Sequence, residues 1–188
     1  MIINNILILG STFLTELCVN QIKDKYNVIG YVPSVNPTKE GNIDLPKVDL
    51  DTPCDIKLSI QYDKIVKDTE NAYNLHTGLL PKYGGTNILD YAIKNEELEQ
   101  GLTFHKMTKS LDYGPIISKI TYPILPNEKA VDLYHRILLI GPDFLESSLK
   151  LLESMTTEQV EKCHKEKPTL HKRGEFKISN KMKEYKLC

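Results

Sequence analysis

The stretch from Ala72 to Asn87 constrains this chain more than any other. Ala72-Tyr73-Asn74-Leu75-His76 has the length and apolar content of a buried strand. It empties into Thr77-Gly78-Leu79-Leu80-Pro81-Lys82-Tyr83-Gly84-Gly85-Thr86-Asn87, whose glycines and proline mark a loop. Side chains two apart on a strand share a face, so Asn74 and His76 project together while Tyr73 and Leu75 pack behind them. Further on, Leu111-Asp112-Tyr113-Gly114 brings a carboxylate into a tight turn after another strand-like run. An amide N–H can hold a developing oxyanion, and a neutral imidazole can take or relay a proton. A carboxylate can orient that imidazole or hold a proton-shuttling water. Neither turn carries a Ser or Cys placed as a nucleophile, so the pattern favours direct transfer to a nucleophile that the substrate brings.

Around these motifs, strand-like and helix-like runs alternate. The spacing predicts strands over residues 5–9, 28–32, 56–60 and 72–76, and a hairpin from residues 101–107 and 116–122. Helices are predicted after Gly10-Ser11-Thr12, which reads as a capped helix start, over 88–94, and over about 127–152 with an interruption near Gly141-Pro142. Residues 34–54 read as an irregular connection, and Asp63 to Val66 as a turn or short helical segment. This order implies an α/β domain with a mostly parallel sheet and an antiparallel edge, its chemistry at the carboxyl ends of strands. Thr103 and His105 share a strand face directed at the same cleft.

With 188 residues and 40% hydrophobic content, the chain supports one full core and is short for two. A net charge of −1 gives no general attraction to nucleic acid or to a membrane surface. The four cysteines, Cys18, Cys54, Cys163 and Cys188, lack disulfide or metal-ligand spacing, so no metal site and a reducing, cytoplasmic setting are expected. From Glu161 onward basic residues outnumber acidic ones, which reads as a solvated, partly ordered extension over 156–188 following a domain over 1–155.

Three ordered motifs, Asn74-Leu75-His76, Leu80-Pro81-Lys82-Tyr83-Gly84-Gly85 and Asp112-Tyr113-Gly114, together resemble the signature of the folate-dependent formyltransferase superfamily. The resemblance implies a Rossmann-like three-layer α/β fold, catalysis by Asn74, His76 and Asp112, and N10-formyltetrahydrofolate as co-substrate without a metal. By position, the folate would lie against Gln61, Tyr62, Asp63, Lys64 and Ile65 on one side and Thr108, Leu111 and Asp112 on the other. Lys82, Tyr83, Asn87 and His105 would shape the acceptor pocket. Within the superfamily the chain looks most similar to nucleotide-sugar N-formyltransferases, around residues 58–65. Its Gly10-Ser11-Thr12 turn departs from the glycine-rich loop with which the glycinamide ribonucleotide enzymes embrace a substrate phosphate. The resemblance therefore implies a nucleotide-linked amino deoxy sugar, such as a dTDP-amino-dideoxyhexose, as acceptor. A different small amine such as glycinamide ribonucleotide, or a non-catalytic folate- or nucleotide-binding module, is the alternative. Whether the chain forms a homodimer is left open.

Overall fold

Short apolar strands build the centre of the molecule. The computed structural model describes residues 2–172. In chain order the elements are β1 (Asn5–Leu9), α1 (Phe13–Ile22), β2 (Asn27–Val32), β3 (Ile56–Ile60), β4 (Ala72–His76) and β5 (Gly84–Gly85). They continue with α2 (Ile88–Lys94), β6 (Glu99–Lys106), β7 (Ile116–Pro123), α3 (Ala130–Ser154), α4 (Thr157–Lys162) and β8 (Leu170–His171). Six strands form one sheet in the order β2-β1-β3-β4-β6-β7. The first four are parallel, and β6 and β7 add an antiparallel edge. This is the Rossmann-like α/β arrangement that the strand and helix pattern implies.

The chain leaves β1 for β2 on one side and returns for β3 on the other. The carboxyl ends of β1 and β3 therefore face a crevice, the usual position of a site in such sheets. The start of α1 is capped as its sequence predicts: the Thr12 hydroxyl accepts the Thr15 N–H, and the Thr15 hydroxyl accepts the Thr12 N–H. One sheet face packs under the three helices α1, α2 and α3 through Ile6, Ile8, Leu14, Ile22, Leu89, Ile137 and Leu145. The opposite face, carrying Leu7, Leu9 and Val32, is covered by Val48, Leu50, Tyr62 and Val66 from irregular chain. Residues 63–66 are part of that cover as a bent loop, with no helical turn.

One expectation is corrected. The long C-terminal helix is not interrupted at Gly141-Pro142, because α3 runs unbroken through both. An interior proline costs a helix about 3 kcal/mol. Beyond it, however, Phe144, Leu145, Leu149 and Leu152 are all buried, and each contributes roughly 1.5–3 kcal/mol on burial. Burial outweighs the proline. Gly141 lets α3 lie close to α1, since a β-carbon on it would be 3.1 Å from Leu14 Cδ1, a tight contact. The basic segment after α3 is largely exposed over residues 164–172 and is partly ordered. Its described part forms α4 and then β8, and β8 pairs in parallel with β5 in the motif loop. Arg173, Lys177, Lys181, Lys183, Lys186 and Cys188 lie outside the described residues.

Candidate active site

A cavity of about 490 Å³ opens at the carboxyl ends of β3 and β4 and is lined from the opposite side by residues 107–112. Three of its lining residues, Gln61, Asn87 and Asp112, hold left-handed backbone angles (φ 53°, 56° and 49°) without being glycine. Such angles cost on the order of 1 kcal/mol each and tend to gather at functional sites. Asn74, His76, His105 and Asp112 all face this cavity. The sequence predicts the same grouping, from strand period and from the tight turn.

The backbone decides how these polar groups are oriented. His76 is buried and its Nε2 lies 2.6 Å from the Tyr83 carbonyl oxygen. A carbonyl only accepts, so Nε2 carries the proton and Nδ1 is the nitrogen left to the cavity. Nδ1 is 3.7 Å from Asp112 Oδ1, a position where a proton added to the ring would meet the carboxylate. The other Asp112 oxygen, Oδ2, accepts the Gly85 N–H at 2.7 Å, which fixes the carboxylate plane. His105 donates from Nδ1 to the Lys106 carbonyl at 3.0 Å. Its Nε2 is therefore a lone pair that accepts from Asn74 Nδ2 at 3.2 Å, an arrangement that turns the Asn74 amide so that its NH₂ end is held in place. Burial, with the adjacent His76, depresses the His105 pKa to about 4, so the ring is neutral at neutral pH. His105, predicted to touch an acceptor, is 1% exposed and acts first as the acceptor that sets Asn74. Thr103, on the same strand face, donates to the Gly78 carbonyl and accepts the Leu80 N–H, so it shapes the loop and is absent from the cavity wall.

Gln61, Tyr62, Asp63, Lys64 and Ile65 line one side of the cavity, and Thr108, Leu111 and Asp112 line the other. The Gln61 side-chain oxygen accepts from both the Thr12 and Tyr134 hydroxyls, leaving its NH₂ as the free end. Asp63 serves the fold as well as the wall, since its carboxylate accepts the Val35 and Asn36 N–H groups. Burial raises its pKa, but those backbone donors prevail and hold it below the usual range. Ile65 and Leu111 stand exposed at the rim, two apolar edges flanking the opening. Among the described residues no group of three or more His, Cys, Asp or Glu is arranged to hold a metal ion.

The loop residues divide. Asn87 lines the cavity and its Nδ2 is buried with no hydrogen-bond partner among the described residues. Lys82 and Tyr83 do not face the cavity. Lys82 pairs with Glu97 at 2.6 Å, and Tyr83 is buried with its hydroxyl donating to the same carboxylate. Pairing of Gly84 and Gly85 with β8 turns the Tyr83 ring inward, where it stacks on His171, so that only the Tyr83 carbonyl reaches the site. The start of α1 offers little room for an anion. Ser11 and Thr12 are 3% and 1% exposed, and the Phe13 amide is taken by the Lys39 carbonyl at 2.9 Å.

Residues 60–149 match the family model described as formyl transferase. The fold is similar to that of WlaRD, a sugar 3N-formyl transferase crystallised in the presence of dTDP and 5-N-formyl-THF. That match has a TM-score of 0.74 and 23% identity, over 94% of this chain and 72% of that one. An N-formyltransferase from Helicobacter canadensis, in complex with folinic acid and dTDP-3-aminofucose, matches with a TM-score of 0.76 and 21% identity over 94% and 73% of the two chains. Phosphoribosylglycinamide formyltransferase from Bacillus halodurans matches with a TM-score of 0.67 and 19% identity over 80% and 96%. At these identities the likeness to the solved structures is one of fold.

Proposed function

We propose, for a chain whose residues 60–149 match the formyl transferase family model, transfer of a formyl group from N10-formyltetrahydrofolate to the amino group of a nucleotide-linked amino deoxy sugar. The observation that carries this reading is the convergence of Asn74, His76 and Asp112 on one cavity, with no nucleophilic side chain among them. The cavity is within the ordinary size range of small-molecule sites, and its two walls mix apolar side chains with backbone polar groups, which suits a flat heterocycle. The folate supplies the formyl carbon.

The chain's own groups then have separable roles. Asn74, its amide set by His105, holds an N–H for the negative charge that develops on the formyl oxygen. His76, once protonated at Nδ1, presents a second donor from the opposite side while Nε2–H stays on the Tyr83 carbonyl. Asp112 Oδ1 takes the proton that the acceptor nitrogen sheds as its bond to carbon forms, and returns it to the departing nitrogen. The buried Asn87 Nδ2, without a hydrogen-bond partner among the described residues, is a donor for an acceptor-substrate oxygen.

Two observations favour a sugar nucleotide over glycinamide ribonucleotide. The first turn is buried, and the α1 amide that a phosphate would seek already bonds to Lys39. Alanine at Asn74, His76 or Asp112 is expected to lower turnover by about 10²–10³-fold while near-UV circular dichroism stays native. Unchanged turnover in all three variants would remove these residues from the mechanism.

A further inference from the structure

The strap after α4 reaches the motif loop without lining the cavity. The Gly84 amide donates to the Thr169 carbonyl at 3.0 Å, the Thr86 amide to the His171 carbonyl at 3.0 Å, and the Thr169 amide to the Pro81 carbonyl at 2.8 Å. Approach is so close that a β-carbon on Gly85 would sit 2.2 Å from the His171 carbonyl oxygen. The His171 ring lies against Tyr83, with centroids 5.1 Å apart and planes 16° from parallel, and its other neighbour is Tyr91 at 4.1 Å. Its Nε2 is buried and makes no hydrogen bond among the described residues, where the ring's contacts are the two flat tyrosine faces.

The loop so held is bonded to two of the cavity's key groups. Its Tyr83 carbonyl receives the His76 Nε2 proton at 2.6 Å, and its Gly85 amide donates to Asp112 Oδ2 at 2.7 Å. A two-residue pairing of β5 with β8 thus backs the backbone atoms that decide which His76 nitrogen is protonated and how the Asp112 carboxylate is turned. We infer that His171 is a positioning residue: by stacking on Tyr83 it holds the loop carbonyl that keeps His76 in the Nε2–H form, with Nδ1 turned to Asp112. The catalytic meaning of that form rests on the proposed formyl transfer; the form itself does not.

The tautomer can be read directly. In protein labelled with ¹⁵N-histidine, the His76 ring shifts are expected to show one tautomer, protonated at Nε2. His171→Ala should convert this to an average of two forms, and His171→Phe, which keeps a flat face without ring nitrogens, should restore the single form. In turnover assays His171→Ala should lower kcat by about 10–100-fold and displace the acid limb of its pH profile, with donor KM unchanged. If His171→Ala fails to fold, His171→Leu keeps bulk without a planar face and carries the same comparison. A folded variant lacking the planar face whose His76 remains in the single Nε2–H form would overturn the inference. The shifts need no substrate, so inactivity towards amino sugars, with the tautomer response intact, would count against the proposed function alone.

Discussion

Acidification is expected to weaken this fold through His105 in a window that the site geometry defines. The ring is 1% exposed, holds its Nδ1 proton on the Lys106 carbonyl and uses its Nε2 lone pair for Asn74. Protonation at Nε2 would set an N–H against the Asn74 NH₂, inside a site that already contains His76. Asp112, with Oδ1 3.9 Å from Nε2, and the Lys106 carbonyl favour the charged ring but are outweighed. Burial is the larger cause of the depressed pKa and His76 the next, taking it from 6.5 to about 4. Above the unfolded value neither state binds a proton at this ring, and stability is at its full level. As pH falls below that value the unfolded chain takes up a proton that the folded chain refuses, and stability drops until the folded pKa is reached. Each pKa unit is about 1.36 kcal/mol, so the whole loss is roughly 3 kcal/mol. For a domain of this size that corresponds to a fall in Tm of very roughly 6–12 °C. Urea unfolding of the wild type and of His105→Gln between about pH 7 and about pH 4 isolates the effect, because carboxylates titrate in both proteins. The variant should lose about 2–3 kcal/mol less than the wild type over that window. Identical losses in the two proteins would exclude His105 as the source of the acid sensitivity.

Other predictions concern packing and the loop. Gly141→Leu forces a side chain against Leu14 where even a β-carbon would be 3.1 Å away, and should destabilise by about 1–3 kcal/mol in chemical denaturation. Lys82→Ala removes an ion pair with a lysine side chain 64% exposed; stability should change by less than about 1 kcal/mol, and steady-state turnover should stay near wild type. Gly85→Ala adds a β-carbon at φ 88° against His171, so amide exchange at Thr169 and His171 should accelerate together as the strap leaves, and unaltered protection would contradict the pairing as drawn.

Asn74 and His76 share a cavity because strands repeat every two residues, and that period is written in five adjacent letters. Asp112 can be read as their companion because a glycine-bounded turn after a strand has few other places to go in an α/β sheet. Lys82 and Tyr83 cannot be read in the same way. Lys82 is turned to Glu97 and Tyr83 to His171, contacts distant in sequence, and the two-residue pairing beside them is too short to leave a strand pattern. His105 is legible as facing the cleft, but its use as a hydrogen-bond acceptor depends on the Lys106 carbonyl beside it, which strand alternation does not reveal. Pro142 misleads for an energetic reason, since local propensity reads the break and only the tertiary core carries the compensation. Composition reads residues 163–171 as exposed, which they largely are, but it does not reveal the backbone pairing and the two aromatic contacts that hold the end of the segment in place.

Formyl transfer itself is tested most directly by a mass-spectrometric assay of the purified protein with N10-formyltetrahydrofolate and a panel of amines, including nucleotide-linked 3-amino and 4-amino deoxy sugars and glycinamide ribonucleotide. One formyl group should be added to a nucleotide-linked amino sugar, and none to glycinamide ribonucleotide. Formylation of glycinamide ribonucleotide alone, or donor binding without transfer to any amine, would contradict the proposed function.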